Sequence, residues 1–355
     1  MTIEWLAGNR IRGTSAEKPV ASLQSPSVGG WVEVGRFTAS GAVSSMPVTS
    51  LSDKRYYMYL SHYTSNADGQ RIEINSDTGS NYSQRFSTNG ASDSTGISQS
   101  NIVAGYGGSG LEEFNVGYIA NKSDKEKLTQ TFASSYGASG AGTAPNRREC
   151  TGKWANTSAA ISSFDFKPAT STFQSGAEVV VLGWDPADTH TTNFWEELGT
   201  FTNGTTTTDL TITSKKYLWI QGYTKGNGDG SGWRPAIKVG NTTISSSGYA
   251  NRESINGGAD GTYTSQGNMP MTSGGDTVGT FFNVFIINNA SNEKLAMGWS
   301  VNSSVAGAAT APIRQEFVHK WAQTSSQIDK LQVHRAVGSD SGLDADTIVK
   351  CWGSN

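Results

Sequence analysis

The chain has 355 residues, 16% of them charged, and a formal net charge of -3, so it lacks the basic surface with which a nucleic-acid groove neutralises phosphates. With 10 Trp, 12 Tyr and 13 Phe it is too aromatic and too weakly charged for disorder. Its 42 Gly and abundant Ser, Thr and Asn fall between aromatic and β-branched runs, which argues against a helical protein and for an all-β one.

In chain order, residues 1–28 come first. They carry Pro19 and Pro26 among small residues and read as an extended arm. Its apolar residues Trp5, Leu6 and Ile11 are the assembly candidates, expected to pack on a neighbouring chain. Docking on the chain's own first module would use the same three residues. The arm does not open on the apolar run of a secretory signal, so exit from the cell is expected by lysis or particle assembly. No apolar stretch reaches the ~20 residues of a membrane-spanning helix, and no membrane contact is expected.

Alternation at period two predicts strands at 31–38, 55–63, 71–75, 81–86, 114–120, 146–154, 161–166 and 178–184. In the strand at 146–154, Arg148, Cys150, Gly152 and Trp154 share one face and Arg147, Glu149, Thr151 and Lys153 the other. The Cys–Trp face is the expected core. Residues 186–193 have the composition of a linker. A second set of strands follows at 195–202, 216–223, 234–239, 249–253, 281–288, 314–321, 328–334 and 347–352.

The two sets are copies of one another. Trp31-Val32-Glu33-Val34-Gly35 matches Trp195-Glu196-Glu197-Leu198-Gly199, and Lys54-Arg55-Tyr56 leading to Tyr63-Thr64 matches Lys215-Lys216-Tyr217 leading to Tyr223-Thr224. Phe114-Asn115-Val116 matches Phe282-Asn283-Val284. The run from Thr143-Ala144-Pro145 to Lys153-Trp154-Ala155 matches Thr310-Ala311-Pro312 to Lys320-Trp321-Ala322. A period of about 165 residues is a domain, not a solenoid unit. The expectation is two tandem antiparallel β-sandwiches of jelly-roll type at 29–185 and 194–355. Each has about eight strands and its own core, and the arm precedes them.

The arm segment Glu4-Trp5-Leu6-Ala7-Gly8-Asn9-Arg10-Ile11-Arg12-Gly13-Thr14-Ser15-Ala16-Glu17-Lys18 resembles the opening of uncharacterised proteins of marine tailed phages. Trp195-Glu196-Glu197-Leu198-Gly199 and Asn256-Gly257-Gly258-Ala259-Asp260-Gly261-Thr262 are similar to repeat modules in the same group. The resemblance implies a virion structural protein of a fibre, spike or capsid decoration. It brings no catalytic motif with it.

No catalytic set emerges from the residues themselves. The four His, at 62, 190, 319 and 334, lack metal-ligand spacing. Glu112 and Glu113 adjoin, but neighbours on a strand point to opposite faces and cannot act on one atom. Gly105-Tyr106-Gly107-Gly108-Ser109-Gly110 is glycine-rich like a phosphate loop, without its Lys-Ser/Thr ending. The turns Asn66-Ala67-Asp68-Gly69 and Gly226-Asn227-Gly228-Asp229-Gly230 offer oxygens to Ca²⁺, but Asp-Gly is first of all a hairpin turn. No metal and no cofactor is expected. Cys150 and Cys351 fall at non-equivalent positions and are expected to be unbonded.

One constellation returns in both copies: Tyr82, Arg85, Asn89 and Asp93, then Tyr249, Arg252, Asn256 and Asp260. A structural cause is an Asn-Gly turn fixed by a carboxylate–guanidinium pair. A functional cause is a glycan site, with the ring stacking on a sugar and the polar groups reading hydroxyls. The expected function is a non-catalytic virion structural protein, a tail fibre, spike or capsid-decorating component. A double jelly-roll capsid shell protein and an extracellular carbohydrate-binding adhesin are the alternatives. Its partners are expected to be further copies of itself, other virion proteins and host surface glycans.

Overall fold

The computed structural model describes residues 30–65, 69–108, 110–186, 188, 193–202, 209–226, 234–272, 278–303, 307–335 and 343–355. The arm at 1–28 with Trp5, Leu6 and Ile11, residues 66–68 of the first candidate Ca²⁺ turn and residues 227–230 of the second lie outside them.

The first copy builds an eight-stranded antiparallel sheet. Its order is β1 (Val32–Thr38), β12 (Glu178–Trp184), β3 (Tyr56–Thr64), β8 (Glu112–Ala120), β9 (Lys127–Ser135), β10 (Asn146–Trp154), β5 (Tyr82–Thr88) and β6 (Ser94–Gln99). A four-stranded sheet faces it, in the order β2 (Met46–Val48), β11 (Phe164–Pro168), β4 (Gln70–Ile74) and β7 (Ile102–Val103). The chain steps from one sheet to the other between β1 and β2, β2 and β3, and β3 and β4, and does so again around β7, β11 and β12. The orders β1-β12-β3-β8 and β2-β11-β4-β7 are those of a jelly roll. The β5–β6 hairpin and the β9–β10 pair extend the larger sheet beyond β8.

The second copy repeats this topology with one additional short strand, β17 (Thr243–Ile244). Its large sheet runs β13 (Glu196–Thr202), β25 (Ile348–Ser354), β15 (Tyr217–Thr224), β21 (Thr280–Ile287), β22 (Lys294–Asn302), β23 (Ile313–Trp321), β18 (Tyr249–Ile255) and β19 (Gly261–Gln266). Its small sheet runs β14 (Asp209–Thr211), β24 (Lys330–Arg335), β16 (Pro235–Asn241) and β17 (Thr243–Ile244), with β20 (Met269–Pro270) also on β16. The protein is thus all-β, two tandem jelly-roll sandwiches, with more strands per copy than the expected eight. Pairing also corrects the alignment of the copies. Phe114 stands opposite His62 and Phe281 opposite Tyr223, so Phe114 corresponds to Phe281 and not to Phe282. His62 and not Tyr63 corresponds to Tyr223.

Each sandwich closes a core between its own two sheets. Tyr59, Cys150, Trp154 and Phe166 lie in the first, and Ile220, Phe317, Trp321 and Cys351 in the second. Alternation along β10 and β23 therefore points inward the face that the pattern indicates. Cys150 and Cys351 are free thiols in different cores. A third apolar cluster then joins the copies, made by the outer faces of the two large sheets. Met58, Leu60, Phe114, Val116, Val180 and Leu182 pack there on Tyr217, Phe285, Ile287, Leu295, Met297 and Val318. Four layers result, small sheet, large sheet, large sheet, small sheet. The connection between the copies is held as well, by Lys54 Nζ to Asp188 (2.6 Å) and by the Phe194 N–H donating to the Trp31 carbonyl (2.7 Å).

Candidate functional site: an open cleft between the large sheets

The two large sheets meet at one end and part at the other. The closed end is polar at its border. Tyr217 Oη and Lys216 Nζ donate to Glu178 Oε1 at 2.7 and 2.8 Å. The Asn289 side-chain amide donates to His62 Nδ1 (3.0 Å), leaving Nε2–H to donate to Glu112 (2.9 Å). Lys320 Nζ donates to the Tyr136 carbonyl (2.8 Å). Burial pushes the Glu178 carboxyl up, but the hydrogen bond and charge of Lys216, with Tyr217 and Thr38, outweigh it and hold its pKa at about 2.

Exposure of the outward-facing side chains climbs along β3, β9, β21 and β22 away from that end. On β3, Leu60 and Met58 are buried and Tyr56 is 36% exposed; on β21, Ile287 and Phe285 are buried and Phe281 is 46% exposed. On β22 the same gradient runs from buried Leu295 to Val301, and on β9 from buried Ser134 to Leu128, 58% exposed. The sheets diverge there into a cleft whose cavity is about 530 Å³, lined by Tyr118, Phe132 and Glu149 from one copy and Trp299, Val301 and Glu316 from the other. Equivalent residues Phe132 and Trp299 meet across it, ring centroids 5.0 Å apart. The wall continues over the first copy along Tyr118, Trp31, Trp184 and Tyr56, the last two stacked at 5.2 Å.

Charge is confined to one rim and is mutually satisfied. Arg147 Nε and Nη2 donate to Asp260 of the other copy at 3.0 and 2.7 Å, and Nη1 contacts Glu149. Arg252 Nη1 lies 3.7 Å from the same Asp260, and Arg314 Nε pairs with Glu316 at 2.9 Å. Burial raises the Glu149 carboxyl, with Arg147 opposing it. Each carboxylate has a guanidinium beside it, so the rim offers neither a paired acid and base nor an activated nucleophile.

The duplicated constellation is placed otherwise than a sugar site requires. Tyr82 and Tyr249 are buried under their own hairpins, 1% and 0% exposed, so neither ring can stack on a sugar, which corrects that part of the glycan-site expectation. Their hydroxyls donate inward, Tyr82 to the Asp77 carbonyl and Tyr249 to the Val239 carbonyl, both at 2.9 Å. Asn89 and Asn256 take left-handed backbone at φ 52° and 54° and bridge to the neighbouring strand. Asn89 Oδ1 accepts the Arg147 N–H, and Asn256 Oδ1 accepts the Arg314 N–H, each at 2.9 Å. Arg85 reaches Asp93 at 3.5 Å on the surface. Its equivalent Asp260 is turned into the domain interface.

The other candidates resolve locally. Glu112 faces out to His62, and Glu113 faces the first core, where it accepts from Tyr63 Oη (2.6 Å). The glycine-rich loop closes on a carboxyl group of this chain, the N–H groups of Tyr106 and Gly107 donating to Glu113 at 2.9 and 2.7 Å. Among the described residues, no three His, Cys, Asp or Glu gather as metal ligands. His319 is buried, and desolvation lowers its pKa to about 3. His190 lies outside the described residues.

The cleft itself has a sequence signal that strand alternation passes over. Tyr56-Tyr57-Met58-Tyr59-Leu60 and Phe281-Phe282-Asn283-Val284-Phe285-Ile286-Ile287 are almost continuously apolar, as strands covered on both faces are.

Fold and cleft together define a fused pair of jelly rolls with an apolar opening between them. No family model matches the chain, and no curated protein matches it. Among solved structures, it is similar to domains LG4-5 of the mouse laminin α1 chain at 10% identity, over 91% of this chain and 90% of that one, with a TM-score of 0.17. Ail, the attachment invasion locus protein of Yersinia pestis, matches at 5% identity, over 79% and 99%, with a TM-score of 0.11. Neisserial surface protein A matches at 7% identity, over 79% and 98%, with a TM-score of 0.11. TM-scores this low carry neither topology nor activity across.

Proposed function

We propose that this protein is a non-catalytic structural component of a virus particle, in a tail fibre, spike or capsid decoration. It is made in the host cytoplasm and works in the particle. Further copies of itself and other virion proteins are its partners, with host surface glycans as what such a component would meet outside. The observation that supports this reading is the third apolar core, which locks two duplicated jelly rolls into one four-layer block. A particle component needs a geometry that does not flex, and a buried inter-domain core of this size opposes relative motion. The saturated charges of the cleft rim support the absence of chemistry. The resemblance of the arm and modules to phage proteins supports the virion.

The test is immunogold microscopy of particles released from the source culture, with antibodies raised against the recombinant full chain. Gold at a fixed position on the particle is expected. Unlabelled particles, with the antigen recovered in the cell-envelope fraction, would replace this reading by the adhesin.

A further inference from the structure

We propose that the cleft is the seat of this chain's own residues 1–29, with Trp5, Leu6 and Ile11 on its aromatic walls. Four observations converge on this occupant. The first is the surface. Val301, 42% exposed, lines the cavity of about 530 Å³; Tyr56 and Leu128, 36% and 58% exposed, lie on its continuation over the first copy, and Phe281, 46% exposed, stands opposite Val301 on the neighbouring strand. Folded chains rarely leave an apolar concavity of this kind without something to fill it.

The second is the point of entry. The described chain begins at buried Gly30 and half-buried Trp31, and the Trp31 ring stands 6.5 Å from Tyr118 and 6.2 Å from Trp184, both in the cleft wall. The first described residues therefore stand at the cleft.

The third is reach. Roughly 20 residues separate Ile11 from Gly30, a tether whose mean span is about 25 Å if flexible. A nine-residue strand such as β3 is about 30 Å long, so the mean span of the tether covers most of the wall it starts from. A segment so held is present at an effective concentration on the order of millimolar, which a separate molecule must outcompete. The tether thus favours the chain's own module over a neighbour as the cover for these three residues.

The fourth is chemistry. The segment carries apolar Trp5, Leu6 and Ile11, the residue types that the apolar walls accept. A sugar requires several polar groups converging around a stacking ring, whereas here the rim charges are spent on one another.

The test is photo-crosslinking of the full chain with p-benzoylphenylalanine in place of Trp5, read by peptide mass spectrometry. Adducts to wall residues of the first or second copy are expected, at the mass of a single chain. Leu128→Glu and Val301→Glu change exposed positions, so both variants should fold with unchanged circular dichroism while losing about tenfold in adduct yield. Tyr263→Ser is the control: Tyr263 is 42% exposed on the opposite side of its sheet, and its loss should leave the yield unchanged. Adducts that appear only at the mass of two chains would overturn the proposal in favour of an exchanged arm. Adducts elsewhere on the surface, or none, would overturn it outright.

Discussion

Gly90 and Gly257 occupy the same place in the two Asn-Gly turns, at φ 71° and 73°, yet they face different neighbours. A Cβ on Gly90 would stand 2.3 Å from Asp260 Oδ1 and 2.9 Å from the Asp260 backbone nitrogen, whereas one on Gly257 would meet only Arg314 Nη2 at 3.1 Å. Either alanine costs about 1–2 kcal/mol for left-handed backbone. Gly90→Ala must in addition displace the Arg147–Asp260 pair, and breaking a buried pair costs about 3–5 kcal/mol. Denaturant titration is expected to show Gly90→Ala less stable than Gly257→Ala by at least about 2 kcal/mol. Equal losses would mean that the pair carries no inter-domain load. At this scale the sequence was informative about the turn and silent about its neighbour. Tyr, Asn-Gly and the Arg–Asp spacing recur in both copies because both need the same turn. Nothing in Asp93 or Asp260 says that one is solvated and the other buried against Arg147, because that difference arises only when the copies meet.

Among the elements, β12 carries the most exacting contact, Glu178 reaching β15 through Lys216 and Tyr217 and β1 through Arg36 and Thr38. Its folded pKa of about 2 lies below its ordinary value of 4.5, so the stabilisation is complete above pH 4.5 and is lost as pH falls towards 2. At about 1.4 kcal/mol per unit, the ceiling is roughly 3 kcal/mol. Glu178→Gln is therefore expected to be less stable than the native chain at pH 6, with the gap closing between pH 4.5 and 2. A gap that stays constant over that range would remove Glu178 as the acid-sensitive contact. Buried neutral His319, whose pKa is lowered to about 3, destabilises both proteins as pH falls below 6.5, and cancels in the difference.

Strands β9 and β22 were hidden from the alternation for a physical reason. The inward face of β9 is Lys127, Thr129, Thr131, Ala133 and Ser135, which reads as solvent-facing although all five are buried. Lys127 Nζ donates to the carbonyls of Lys125 and Asn156 over the Trp154 ring. Lys294 does the same with Asn292 and Gln323 over Trp321. Only the pairing of the two copies would have drawn attention to that lysine.

At the scale of the whole molecule, duplication and sandwich class were legible because a repeat shows in any register of comparison. Each copy closes its own core as the repeat implies, and the third core that joins the copies comes in addition. Period-two alternation identifies the face that fills a copy's own core, and says little about a second face that is apolar as well, as on β3 and β21. Six side chains of the first copy in the third core, Met58, Leu60, Phe114, Val116, Val180 and Leu182, stand to lose about 1.5–3 kcal/mol each on separation. That total, roughly 9–18 kcal/mol, is comparable to the whole stability of a typical domain, so neither copy should persist once the other has unfolded. Scanning calorimetry of the full chain tests this directly. A single endotherm, with calorimetric and van't Hoff enthalpies equal, is the expected result. Two resolved transitions, one for each jelly roll, would contradict it and return the copies to independent domains on a linker.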